Sequence, residues 1–315
     1  MTRHLRPLGA ALILALGAAL QPLAANSAGV SWTAEVVCNF RAVAALHPDP
    51  KLRNGDSLAA GFCDAVLLPN DYAAARDVID VDPEAYAGYF YVNARSRHID
   101  AQLLRAAAEG ATQVVVLGAG FDSRAYRFHA RYPGIMFFEV DTPPTISAKQ
   151  QTVVRMFGAL PRHVHYAPID FNTQTLASVL SAAGYEATQK TFFILEGVSM
   201  YVSEAGNGAT FDFIRKHSAP GSRLVYDYIL RQVVEGDYAG LYAAKGAARG
   251  VASHGEPFVT GWTPKEAEQF ARRRGFKVLG NLDAAALTRR YLTGSNGKAD
   301  GRVPNWYGIV DARVP

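Results

Sequence analysis

The chain has 315 residues, of which 49% are hydrophobic and 19% charged. That balance excludes a disordered polymer and suits one large core, or a core with a smaller subdomain. The formal charge of +4 includes Arg3 and Arg6 at the amino terminus, and no block of five or six basic residues occurs, so nucleic acid is not an expected partner.

Residues 1–28 read as a signal peptide or membrane anchor. Arg3 and Arg6 precede an uncharged run from Leu8 to Leu20, and the small residues Ala24, Ala25, Ser27 and Ala28 follow. Export to a periplasmic or secreted location is the leading expectation. The run from Pro7 to Ala25 almost suffices to span a bilayer, so a membrane anchor through an uncleaved leader is one alternative and a cytoplasmic location another. In an exported chain Cys38 and Cys63 could form a bridge; two buried thiols are the equal alternative.

Over residues 29–110 apolar positions recur at helical spacing, as in Ala34, Val37 and Cys38, then Ile99, Leu103 and Leu104. This predicts an N-terminal helical lid, broken near Pro48, Asn54 and Gly55 and again near Pro69, Asn70 and Asp71. Over residues 111–315 short apolar runs alternate with amphipathic stretches, the pattern of a doubly wound, Rossmann-like α/β domain with a mostly parallel sheet. Strands are predicted at Gln113 to Leu117, Met136 to Val140, His163 to Ala167, Thr191 to Leu195 and Arg223 to Ile229. Two more, Phe276 to Leu279 and Trp306 to Val310, lack a convincing helix between them. Seven strands are thus expected, with an antiparallel final strand pair. The Gly- and Ala-rich segment at about 230–260 reads as an insertion over the strand ends, and Arg272 to Arg274 as the solvated end of a helix.

The chemistry concentrates at the ends of these strands. Val114 to Leu117 run into Gly118-Ala119-Gly120-Phe121-Asp122-Ser123-Arg124, where glycines allow positive φ and close approach of a ligand. Arg124 stands near the place of the third glycine in the dinucleotide fingerprint, which disfavours a pyrophosphate at the helix start. The next strand ends Glu139-Val140-Asp141, about 20 residues on, where an acid can accept from ribose hydroxyls. Asp170 with Phe171 ends the third strand and suits an adenine amine and ring. Glu196 follows the fourth. His163 and His165 share one strand face without a recognisable third ligand, so no metal site is expected, and Glu196 to Ser199 lack the Gly-x-Ser-x-Gly order of a nucleophile elbow.

The segments LGAGFDSRAYRF, FFEVDTPP and ILEGVSMYV resemble consecutive motifs of the leucine carboxyl methyltransferase family of class I S-adenosylmethionine-dependent enzymes. Phe90 to Arg95 with Ile99-Asp100, Arg41-Ala42, Asp56 to Ala59, and Gly255 to Phe258 through Tyr291 extend the likeness to about residues 33–315. The resemblance implies S-adenosyl-L-methionine as cofactor, with Arg95 on its carboxylate, Gly118 beneath its methionine part, and Gly120 and Asp122 as further cofactor-binding residues of the glycine-turn motif. It also implies Asp141 on the ribose, Asp170 and Phe171 flanking adenine, and Glu196 near the amino-acid end. Two features depart from the family: Asn54-Gly55-Asp56-Ser57 replaces an Asp-Pro, and the leader is unusual.

The expected function is therefore methyl transfer, with O-methylation of a small-molecule or peptide carboxylate or hydroxyl foremost. Alignment of nucleophile and methyl can contribute roughly 7–11 kcal/mol. A carboxylate acceptor needs no base, whereas a hydroxyl acceptor does, and Tyr201, His98 and His254 are the candidates. Rival expectations are a dinucleotide-dependent oxidoreductase and a non-catalytic exported nucleoside-binding protein.

Overall fold

The computed structural model describes residues 30–170 and 173–315. The leader assigned to residues 1–28 lies outside the described residues, as does Phe171. Among the described residues no helix is long and apolar enough to cross a membrane.

Among the described residues seven strands form one sheet: β1 Gln113–Leu117, β2 Met136–Asp141, β3 Val164–Pro168, β4 Thr191–Leu195, β5 Arg223–Ile229, β6 Lys277–Asp283 and β7 Tyr307–Arg313. They lie in the order β3-β2-β1-β4-β5-β7-β6. The first five are parallel, and β7 runs antiparallel to both β5 and β6. Strands β1 and β4 are buried along their whole length, which explains why they read as continuous apolar runs instead of alternating ones.

The predicted strands hold, with shifts at the ends. The third starts at Val164, and the last two run through to Asp283 and Arg313. A helix, Ala284–Tyr291, does separate β6 from β7, correcting the expectation that none lay there. Its start is a side-chain cap, the Asp283 carboxylate accepting from the Ala286 amide at 2.7 Å. The β-rich flanks conceal this short helix in the sequence.

Among the described residues four helices precede the sheet: α1 Trp32–Ala45, α2 Ala59–Phe62, α3 Tyr72–Val81 and α4 Ala87–Ala108. Helix α4 buries Tyr91, Ile99 and Leu103 in the same core as Val114, Val116 and Ile194 of the sheet. The opposite face carries Val115, Phe193 and Leu224 against Phe211 and Phe270. Each large apolar side chain so buried contributes about 1.5–3 kcal/mol. Cys38 of α1 is bridged to Cys63, beyond α2, with Cα atoms 6.1 Å apart, so the disulfide alternative is the one adopted. Two short helices, Arg231–Glu235 and Ala244–Ser253, fall within the segment at about 230–260.

Candidate functional site

The carboxyl edge of β1 is shaped by backbone demands. Gly118 and Gly120 adopt φ of 68° and 41°, and the amides of Gly118 and Ala119 donate to the Val140 carbonyl at 2.9 and 3.0 Å. A Cβ built on Gly118 would collide with a Val198 methyl, and one on Gly120 would sit 3.2 Å from Ala34 of α1. Neither position accommodates a side chain, which is the physical reason for two glycines here.

Asp141, at the end of β2, fixes this turn. Its Oδ2 accepts from the Gly120 amide at 2.7 Å and its Oδ1 from the Thr142 amide at 2.7 Å. Burial raises its carboxyl, and the two amides offset part of that rise. A carboxylate offers about four lone-pair sites, so each oxygen keeps capacity for one further donor.

Behind the turn runs a continuous buried ion network. Arg41 pairs with Asp56 at 2.9 Å, Asp56 with Arg127 at 3.4 Å, and Arg127 with Asp100 at 2.9 Å. Arg124 reaches Asp100 at 2.7 Å and Glu196 at 2.6 Å, and it also pairs with Asp122. Arg95 then joins Glu196 at 2.9 Å to Asp227 at 2.7 Å. Burial alone would raise Asp122, yet Arg124 holds it down at about 2. In the same way burial pushes the Glu196 carboxyl up, but Arg124 and Arg95 overcome that push and hold it below its ordinary value. The reciprocal field keeps Arg95 above its ordinary value despite desolvation. The departure at Asn54-Gly55-Asp56 belongs to this network: Asn54 accepts the Asp56 amide at 2.9 Å and donates to the Arg41 carbonyl at 3.0 Å.

The structure thus brings Arg95, Gly118, Gly120, Asp122, Asp141 and Glu196 to neighbouring strand ends. Asp170 is also at such an end, exposed, with its carboxylate accepting from the Thr173 hydroxyl at 3.1 Å. Among the base candidates, His98 is wholly buried between the Tyr291 hydroxyl at 2.9 Å and the Asp311 carboxylate at 3.0 Å. It is a packed core group, and neither ring nitrogen is open to an acceptor. Tyr201 lies beside Phe258, ring centroids 5.4 Å apart, and burial, reinforced by Glu256, pushes its phenol up. His254 stacks on Trp32 at 3.7 Å, with Nδ1 on the Gly250 carbonyl at 2.9 Å. His163 and His165 lie apart from this edge in their contacts, His163 stacked on His129 and His165 on Phe138.

Sequence reasoning assigns no role to Arg124 or Asp227, nor to the Arg41–Asp56 pair or Asp100. An acid amid the buried strand Arg223–Ile229 is the available signal for Asp227. It is a weak one, because nothing local shows what such an acid faces. Glu139, an acid near Asp141 at the end of β2, is instead wholly buried and paired with Lys149 at 2.9 Å. Its burial pushes it up to about 7.

A model of the family described as "Leucine carboxyl methyltransferase" matches residues 34–215. The chain belongs to the leucine carboxyl methyltransferase family, whose cofactor is S-adenosyl-L-methionine. A protein named as a candidate S-adenosyl-L-methionine-dependent methyltransferase from Mycolicibacterium gilvum (strain PYR-GCK) is 35% identical over 212 residues, 64% of this chain and 67% of that protein. Another so named, from Bacillus subtilis (strain 168), is 32% identical over 180 residues, 55% of this chain and 56% of its own length. A crystal structure of a duf574 family protein from Streptomyces avermitilis shares the fold, with a TM-score of 0.56 at 15% identity over 78% of this chain and 93% of that one.

The residues present fit the family's cofactor. Two glycines leave the turn bare where a Cβ would intrude, Asp141 keeps two acceptor positions of the kind vicinal hydroxyls need, and groups of both charges, as an amino-acid moiety needs, meet at Glu196 and Arg95.

Proposed function

We propose that this methyltransferase esterifies a carboxylate on a small molecule or peptide. S-adenosylmethionine supplies an electrophilic methyl carbon on a sulfonium when bound. The chain's own contribution is placement: Asp141 and the glycine turn orient the nucleoside end, and Arg95 with Glu196 orient the amino-acid end. Holding nucleophile and methyl in line near 3 Å contributes up to about 7–11 kcal/mol.

The observation carrying the choice of acceptor is the engagement of two of the three candidate bases, His98 and Tyr201. His98 has both nitrogens occupied in the core, Tyr201 is held protonated by burial, and only His254, stacked on Trp32 with Nδ1 on the Gly250 carbonyl, keeps a ring nitrogen for a hydroxyl acceptor. A carboxylate is already ionised at neutral pH and requires none of them, whereas a hydroxyl would. The test is transfer of labelled methyl from S-adenosylmethionine into an extract of the source cell, followed by mild alkali. Esters release the label as volatile methanol; label that stays in an ether or amine refutes the carboxylate assignment. Calorimetry of the leaderless protein should show cofactor binding that is lost in Arg95→Ala and Asp141→Ala. Absence of binding by the unaltered protein refutes the whole reading.

The leader and the Cys38–Cys63 bridge together support export to an oxidising compartment. Fractionation of cells carrying the tagged full-length chain checks this; an intact leader recovered in the cytosol would contradict it.

A further inference from the structure

Asp227 ends the buried ion network and is itself wholly enclosed. Its Oδ2 receives Arg95 at 2.7 Å and the Tyr91 hydroxyl at 2.8 Å, while Oδ1 receives the Gly197 amide at 2.7 Å. It therefore ties helix α4 to the turn after β4 that carries Glu196. The connected network contains Arg41, Arg95, Arg124 and Arg127 against Asp56, Asp100, Asp122, Glu196 and Asp227. Four formal positive charges face five negative ones, and the nearby Lys149–Glu139 pair is neutral above about pH 7, where Glu139 is ionised, so the titrations below are run at about pH 8.

We propose that Asp227 is a specificity residue that makes this edge prefer a cationic ligand, and so sets the balance between cofactor and spent product. The inference rests on the cofactor site described above. S-adenosylmethionine carries a sulfonium, an ammonium and a carboxylate, for a formal charge of +1. Loss of the methyl leaves S-adenosylhomocysteine formally neutral. A surplus negative charge in the network attracts the first and is indifferent to the second. A low-dielectric surround strengthens the difference, and one unit charge several ångströms from another at an effective dielectric of about 20 changes affinity roughly tenfold or more. Contacts to the ammonium and carboxylate are common to both ligands and cancel in the ratio of their affinities.

The experiment is calorimetric titration of the leaderless protein with S-adenosylmethionine, S-adenosylhomocysteine and sinefungin, in which an amine-bearing carbon replaces the sulfonium. Asp227→Asn should weaken S-adenosylmethionine and sinefungin about tenfold or more while S-adenosylhomocysteine changes less than about threefold. Glu196→Gln should move the ratio in the same direction, and it carries the test if Asp227→Asn fails to fold. Tyr91→Phe, which removes a neutral donor from the same carboxylate, should leave the ratio unchanged. Equal weakening of all three ligands in the Asp227→Asn or Glu196→Gln protein reduces these acids to structural braces and overturns the proposal. Failure of the unaltered protein to bind any of the three overturns the site reading instead, so the two failures are distinct.

Discussion

Replacing Gly118 by alanine tests the glycine turn most directly. The residue holds φ at 68°, a region that disfavours an L side chain by about 1–2 kcal/mol. The added methyl also enters the space of the Val198 side chain, and overpacking of this sort destabilises by about 1–3 kcal/mol. Gly118→Ala should thus lose about 2–5 kcal/mol of stability, or roughly 3–8 °C in melting temperature for a domain of this size. Val198→Ala relieves the collision and leaves the backbone strain. In the double variant the two losses should fall short of their sum by about 1–2 kcal/mol. Urea denaturation of the four proteins, read by circular dichroism, gives each stability, and calorimetry with S-adenosylmethionine should show weakened binding in both proteins that carry the Gly118→Ala substitution. A Gly118→Ala protein as stable as the unaltered one, or losses that add within about 0.5 kcal/mol, would refute the argument.

The Cys38–Cys63 bridge closes a separation of 25 residues, worth about 3–4 kcal/mol in chain entropy. The Cys38→Ser/Cys63→Ser protein should unfold at lower urea, and reductant should lower the midpoint of the bridged protein while leaving the double variant unmoved. Glu139 titrates near 7 when folded, above the ordinary glutamate value of 4.5. Between these values the native state holds a proton that the unfolded chain has lost, so stability falls as pH rises from about 4.5 through 7, by an amount of order 1–3 kcal/mol. Glu139→Gln should flatten that part of the stability profile; an unchanged slope would show that the raised carboxyl is not its source.

Much of this protein is readable locally. Buried parallel strands announce themselves as unbroken apolar runs, and Gly118 and Gly120 are demanded by backbone geometry at a strand end, so β1, β4, the glycine turn and Asp141 follow from residues close in the chain. The short helix Ala284–Tyr291 is not legible there, because eight residues between strands give little periodicity. Tertiary structure alone decided the roles of the charged residues. Arg95 and Asp227 lie 132 positions apart, and Arg41 meets Asp56 and the Phe121 carbonyl only because α1 crosses the turn after β1. Likewise His98, a plausible base by residue type, becomes a core group once Tyr291 and Asp311 close on both its nitrogens. Local sequence specifies backbone conformation and periodic burial, because those depend on near neighbours. A charge takes its meaning from what desolvates and pairs it, and the fold brings those partners from distant segments.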